Sequence, residues 1–152
     1  DSIGFTDFPG TAVVQRDSVG RVVGLRIPYA DRPIPRLTPE RQLPGELLRA
    51  GRWPEAEAAY RGLALDESRI TYMAYTLLRR RPATDSDLQS ARVLLTVADA
   101  QHPTSAVVQV RWAEYHLLRH DTTSAIAAYR VAQARDSSDA SIRDALRRLG
   151  ER

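Results

Sequence analysis

Two histidines and an aspartate come closest to a metal site in this sequence. His116 and His120 are four residues apart, a spacing that lets two imidazole rings on one helix bind the same zinc ion, and Asp121 follows them directly. The sequence offers no obvious third ligand from another segment, and it contains no cysteine. We therefore expect neither a metal ion nor another cofactor.

The remaining reactive side chains do not form a catalytic pattern. The chain has no lysine and no cysteine, which excludes a Walker lysine, a Schiff base, a Ser-x-x-Lys motif and a thiolate nucleophile. The motifs Gly-x-Ser-x-Gly and His-Glu-x-x-His are absent as well. Carboxylate pairs such as Glu55/Glu57 and Asp85/Asp87 are two residues apart, so on a helix they point in different directions. The sequence predicts a protein that is not an enzyme.

Composition limits the possible partners. All 22 basic residues are arginine, and the absence of both lysine and asparagine is the residue usage expected of a GC-rich bacterial genome. The arginines are interspersed with acidic residues along the whole chain and the net charge is only +3, so we expect no nucleic-acid-binding face. The single basic run, Arg79 to Arg81, is expected to cap a helix or to be solvated. No apolar run reaches the ~18 residues of a membrane span, which leaves a soluble or peripheral protein of the cytoplasm or the periplasm.

The first quarter of the chain has the pattern of a β-hairpin followed by a connector. Residues 11–27 carry two β-branched runs around Asp17-Ser18-Val19-Gly20, with glycine where a positive φ is needed. Residues 28–45 hold five of the nine prolines, which favours an extended strap. We therefore predict a β-hairpin segment over 1–27, a proline-rich connector over 28–43 and a helical domain over 44–152.

A repeat of 34 to 35 residues organises the helical part. Each copy has a small residue, a bulky residue four positions later and a further apolar residue three positions after that. The three copies are Ala56/Tyr60/Leu63, Ala91/Leu95/Ala98 and Ala125/Tyr129/Ala132. A small side chain lets two helix axes approach closely, and the bulky residue one turn later fills the groove between them. The period therefore predicts stacked helix hairpins.

This pattern resembles the tetratricopeptide repeat over about residues 41–149. The resemblance implies a mainly α fold: an α-solenoid of about three helix hairpins, closed by a capping helix that presents Ile142, Ala145, Leu146 and Leu149 on one face. Two departures are visible. Pro44 and Gly45 predict a first helix that is short or begins at Pro44, and the segment 79–90 lengthens a turn, with Asp85 or Ser86 as the expected helix cap.

Members of this family bind proteins, so the resemblance implies a non-enzymatic scaffold that holds a peptide or protein segment on its concave helical face. By family position, the partner-binding residues are expected to be Arg41, Leu48, Arg49, Tyr75, Leu78, Arg79, Glu114 and Leu117. Apolar and acidic partner segments fit such a surface. Family members that capture a terminal carboxylate use lysines and asparagines, which this chain lacks, so we expect binding through side chains or an extended segment.

Two alternatives stay open at this point. Residues 11–27, with Arg16-Asp17-x-x-Gly20-Arg21-Val22, are similar to the C-terminal β-domain of bacterial penicillin-binding-protein-like serine hydrolases. That resemblance implies a C-terminal accessory region of a larger hydrolase whose catalytic domain is not in this chain. The other alternative is an accessory subunit that docks onto a larger, possibly membrane-bound, complex. Because the sequence begins at Asp1 without methionine, we expect a processed protein or part of a longer one.

Overall fold

The chain forms two compact units in a computed structural model, one spanning Asp1–Gln42 and the other Leu43–Arg152. The structure describes residues 2–4, 11–26, 34–35 and 42–150. Over these residues the chain is mainly helical, with short antiparallel strands in the first unit and seven helices in the second. The expected mainly α class with an N-terminal hairpin is confirmed, whereas the solenoid arrangement stays a prediction. None of the described helices has the length and apolar character that crossing a membrane requires.

The first unit holds a four-stranded antiparallel sheet in the order β1-β2-β3-β4. Its strands are β1 (Ser2–Gly4), β2 (Thr11–Arg16), β3 (Val22–Arg26) and β4 (Ile34–Pro35). The turn between β2 and β3 forms because Asp17 Oδ1 accepts hydrogen bonds from the backbone N–H groups of Val19 and Arg21, at 3.0 and 2.9 Å, while Gly20 adopts a φ of +82°. The sequence predicted this hairpin but not β1 or β4, and β4 lies within the expected connector.

Seven helices form the second unit. They are α1 (Pro44–Arg49), α2 (Trp53–Arg61), α3 (Glu67–Leu78), α4 (Asp85–Gln101), α5 (Ala106–Leu118), α6 (Thr122–Arg135) and α7 (Ala140–Arg148). Consecutive helices pack in pairs, α1 with α2, α3 with α4 and α5 with α6. Contacts of α2 with α4, and of α5 with α3 and α4, join one pair to the next, and α7 packs on α6.

The first helix is short, as predicted. It begins at Pro44, whose missing N–H costs nothing in the first turn, and it ends after six residues. Glu46 closes the N-terminal turn, since its Oε2 accepts a hydrogen bond of 2.9 Å from the Leu43 N–H. Gly51, at a φ of +71°, then lets the chain turn sharply into α2.

The repeat residues form the helix contacts. Ala56, Ala91 and Ala125 are fully buried, and the bulky residues that follow them, Tyr60, Leu95 and Tyr129, are buried as well. The third position is uneven: Ala98 and Ala132 are fully buried, but Leu63 is 42% exposed. Leu63 is exposed because α2 ends at Arg61, two residues before it, so Leu63 does not continue the packed face of the helix.

The lengthened turn before α4 is capped differently from the prediction. The cap is Thr84 and not Asp85 or Ser86: its Oγ1 accepts a hydrogen bond of 3.1 Å from the Asp87 N–H. Asp87 completes the box by accepting 3.0 Å and 2.7 Å hydrogen bonds from the N–H and hydroxyl of Thr84. The helix therefore starts one or two residues earlier than the predicted caps imply.

The closing helix agrees with its prediction. Asp139 caps α7, and Ile142 and Leu146 are buried on its inner face, with Ala145 and Leu149 packed beside them. These side chains join Ala113, Ala128, Tyr129 and Ala132 in a small core, separate from the larger core that α1 to α5 share. Trp112 packs against both cores.

Candidate functional site

An aromatic and cationic surface lies where α3 and α5 pack side by side. We call it the α3/α5 surface, and it consists of Tyr72, Tyr75, Arg79, Arg111 and Glu114. Tyr72 leaves 66% of its surface exposed, and its ring centroid lies 6.3 Å from that of Tyr75. The Arg79 guanidinium sits 5.8 Å from the centre of the same Tyr75 ring. Aromatic rings and arginines of this kind are enriched at the energetic centres of protein interfaces.

Arg111 holds this surface together. Its guanidinium carbon lies 4.5 Å from the Tyr75 ring centre, and its Nη1 donates a 2.7 Å hydrogen bond to Glu114 Oε2. The Arg111 side chain is only 23% exposed, and its Nε is buried with no hydrogen-bond partner in the part of the chain that the structure describes. A cation over a partly desolvated ring contributes roughly 1 to 2 kcal/mol. The contact therefore fixes Tyr75 of α3 against α5.

The residues expected to bind a partner do not all reach the surface. Tyr75, Arg79 and Glu114 belong to the α3/α5 surface, Arg49 lines a groove next to α3, and Leu117 lines a groove next to α5. Leu48 and Leu78 instead lie in the core, with 7% and 2% of their surface exposed. Arg41 lies outside the described residues.

The burial of Leu78 has a clear cause. Because α3 contacts both α4 and α5, its buried face is wide and holds Ile70, Thr71, Ala74 and Leu78. Met73 and Leu77 of the same helix are only partly buried. Leu78 therefore supports the surface from below and presents little of itself to a partner.

A groove of about 500 Å³ opens between α1, α3 and α4, and we call it the first groove. Its walls include Leu48, Met73, Leu77 and Leu94, with Arg49 at its edge. Two buried hydroxyl-bearing residues, Tyr60 and Ser90, also line it. Burial raises the pKa of Tyr60, while the charges of Arg49 and Arg69 act in the opposite direction.

The first groove also contains an ion pair. Arg80 Nη1 donates a 2.6 Å hydrogen bond to Asp87 Oδ1, while Asp87 Oδ2 accepts from Thr84. Burial acts to raise the pKa of Asp87, but the hydrogen bonds from Thr84 and Arg80 outweigh it, so the pKa lies below its ordinary value. Asp87 is thus a satisfied structural carboxylate.

A second groove, of about 380 Å³, opens between α5 and α7 and includes Glu114, Leu117, Tyr129 and Arg148. Burial raises the pKa of Tyr129 and the negative charge of Glu114 raises it further, while the positive charges of Arg111 and Arg148 act in the opposite direction. The second groove thus combines a buried tyrosine with a nearby carboxylate.

The histidines take structural positions. The His116 ring stacks on Trp112 with centroids 5.9 Å apart, and its Nδ1 lies 3.6 Å from Asp121 Oδ2. Asp121 caps α6, while His120 forms the corner before it at a φ of +57°. Within the described part of the chain, no three His, Cys, Asp or Glu side chains are grouped so that they could hold a metal ion.

The perturbed acids of the helical unit also serve the fold. Hydrogen bonds from neighbouring serines lower the pKa values of Asp66, Asp121, Asp136 and Asp139, and a backbone hydrogen bond lowers that of Glu55. Three of these aspartates cap α3, α6 and α7. Structural hydrogen bonds therefore account for each of these lowered values, with no need for a catalytic role.

The basic run at the end of α3 divides into separate roles. Arg81 caps the helix, since its Nη1 donates to the carbonyl oxygens of Leu78 and Arg80, at 3.0 and 2.8 Å. Arg80 pairs with Asp87, and Arg79 joins the α3/α5 surface. The expected capping role is therefore confirmed for Arg81.

Sequence reasoning missed Arg111, Tyr60 and Ser90 as surface and groove residues. Arg111 and Glu114 are three apart on α5, which indicates an ion pair, but nothing in the sequence signals the contact with Tyr75 on α3. The grooves depend on helix packing that the repeat pattern does not specify. No protein-family model, curated protein or solved structure with which the chain was compared matches it.

Proposed function

We propose that the helical unit is a non-enzymatic interaction module, built as a tetratricopeptide-like array, that binds an extended protein segment across the α3/α5 surface. One observation carries the proposal: Tyr72, 66% exposed, and Tyr75 form an aromatic patch that Arg79 and Arg111 flank. Aromatic side chains next to arginines are typical of the centres of protein interfaces, where a partner covers them.

The paired helices support the array. The contacts α1 with α2, α3 with α4 and α5 with α6 are those of successive helix hairpins, and α3 with α5 brings the first helices of two pairs together. The fully buried alanines at a 34 to 35 residue period agree with close helix packing in each pair. First helices that lie side by side form the surface on which repeat arrays present their binding residues.

Charge favours a segment with acidic character. The α3/α5 surface carries two arginines and one glutamate, and Arg79 has no ion pair among the described residues. A partner segment with apolar anchors and an acidic residue would cover the rings and approach Arg79. We expect the anchors to supply most of the affinity and the arginines to set approach and salt dependence.

Photo-crosslinking from the proposed surface tests this function. A benzophenone amino acid replaces Tyr72 in one variant and Val131, which is 40% exposed on α6, in a second variant. After irradiation in native cell extract, we expect one defined protein to crosslink from position 72 and not from position 131. Equal crosslinking from both positions, or none from position 72, would refute the proposal.

A binding assay with that protein then separates the two modes of recognition. We expect the double variant Tyr75→Ala/Leu117→Ala to weaken binding at least tenfold, a loss of about 1.4 kcal/mol or more. Amidation of the partner's C-terminus should leave binding unchanged. Strong loss on amidation, together with normal binding by the double variant, would show terminal-carboxylate capture instead.

A further inference from the structure

We propose that the first groove is a subsite for the carboxylate of an acidic side chain in the bound segment. The inference rests on the proposed function and adds where, and by which groups, the acidic residue is recognised. The first groove has a volume of about 500 Å³, which is enough for one long side chain with part of its backbone.

The hydroxyl groups of two buried residues are available to a ligand in the groove. Tyr60 and Ser90 are each only 5% exposed and line the groove, yet neither hydroxyl has a hydrogen-bond partner among the described residues. Neither oxygen is among the fully buried, unpaired atoms of the described residues, so water in the open groove can bind both hydroxyls until a ligand replaces it. Both hydroxyls can donate, so an acceptor that enters the groove would satisfy them.

The Tyr60 hydroxyl lies close to α1. A methyl group built on Gly45 would sit 3.6 Å from Tyr60 Oη, so the hydroxyl reaches the first turn of that helix. The charge of Arg49, at the end of α1, acts on the Tyr60 hydroxyl and favours its negative form. The first groove is therefore lined by the cation of Arg49 and by two hydroxyl donors. Leu48, Met73 and Leu77 also line it and can contact the aliphatic part of the ligand's acidic side chain.

The charge balance selects an anion. The charged residues that line the first groove are Arg49, Arg80 and Asp87, which gives a net charge of +1. Arg80 and Asp87 neutralise each other through their 2.6 Å contact, so the remaining charge is that of Arg49, which has no ion pair among the described residues. A carboxylate accepts hydrogen bonds from hydroxyls and pairs with a guanidinium.

The second groove provides an internal comparison. Tyr129 occupies the same repeat position as Tyr60 and lines the second groove, but the charged residues of that lining, Glu114 and Arg148, have a net charge of zero. The second groove therefore lacks the net positive charge that favours a carboxylate in the first groove. Tyr60→Phe should therefore weaken the binding of acidic ligands, whereas Tyr129→Phe should not.

Titration of the whole chain with two short peptides tests the subsite. The probes are acetyl-Leu-Glu-Leu-amide and its glutamine counterpart, and binding is followed by the backbone amide signals of Leu48 and Ser90 in nuclear magnetic resonance spectra. We expect saturable shifts with the glutamate peptide and at least about tenfold weaker binding of the glutamine peptide. Tyr60→Phe and Arg49→Gln should each weaken the binding of the glutamate peptide by a similar factor, and Tyr129→Phe should leave it unchanged.

Stability measurements keep the variants interpretable. Because the Tyr60 hydroxyl has no hydrogen-bond partner among the described residues, the urea midpoint of Tyr60→Phe should equal or exceed that of the unchanged chain. Equal binding of the two peptides, unchanged binding by Tyr60→Phe, or no saturable shift up to about 10 mM peptide would overturn the subsite. Crosslinking from Tyr72 would still stand in that case, so failure of the subsite differs from failure of the interaction module.

Discussion

Replacing Ala91 by phenylalanine tests the helix packing on which the repeat depends. Ala91 is fully buried on α4, the helix that contacts α1, α2, α3 and α5. A benzyl group has no space there, and overpacking of this kind costs ~1 to 3 kcal/mol. With a urea m-value of roughly 2 kcal/mol/M for a chain of this size, a cost of about 2 kcal/mol lowers the unfolding midpoint by about 1 M.

Urea unfolding followed by far-ultraviolet circular dichroism measures this shift. The matched control is Ala100→Phe, which places the same ring at an exposed position on the same helix and should move the midpoint little. Ala125→Phe and its exposed counterpart Ala127→Phe repeat the comparison on α6. A midpoint that is unchanged for both buried variants, or lowered equally by the exposed ones, would mean that the repeat register is wrong.

Three further predictions concern the cap of α4, the acid range and the helical unit alone. Asp87→Asn weakens the contacts with Thr84 and Arg80, so we expect a loss of about 1 to 3 kcal/mol in urea melts, with the exposed Asp85→Asn as a near-neutral control. The aspartates that cap α3, α6 and α7 have pKa values below the ordinary aspartate value in the folded chain, so their stabilisation is present above the unfolded-state pKa and is lost as the pH falls through the folded pKa values. Unfolding temperatures that do not fall between about pH 5 and about pH 2 would contradict this. Residues 44–149 alone should give a helical circular dichroism spectrum in the presence of chelator, and a collapse caused by the chelator would show that the fold needs a metal.

Much of the local structure is predictable from the sequence because it depends on near neighbours. The hairpin follows from Asp17 and Gly20, whose side-chain acceptor and positive φ define the turn within five residues. The short α1 follows from Pro44, and the buried face of α7 follows from the spacing of Ile142 and Leu146. Each of these features is determined within one or two turns of chain.

The candidate site is less predictable because it depends on contacts between distant residues. Arg111 and Tyr75 are 36 positions apart, and only the packing of α5 against α3 brings them together. Leu78 has the spacing of a surface residue in the repeat, but a second neighbouring helix covers it. At the start of α4, Thr84, Asp85 and Ser86 are all suitable cap residues, and Ser86 also has Gln89 three positions later, so the sequence pattern does not single out Thr84.

The division into two cores has a consequence for how the helical unit opens. Because α4 contacts four other helices, separating either hairpin of α1 to α4 would expose the buried face of α4. We therefore expect α1 to α4 to unfold as one cooperative block. The smaller core under α6 and α7 is linked to that block through α5 and Trp112. Amide hydrogen exchange should therefore be slowest in α4 and faster in α7, so that the C-terminal end opens and recloses while the rest of the array stays folded.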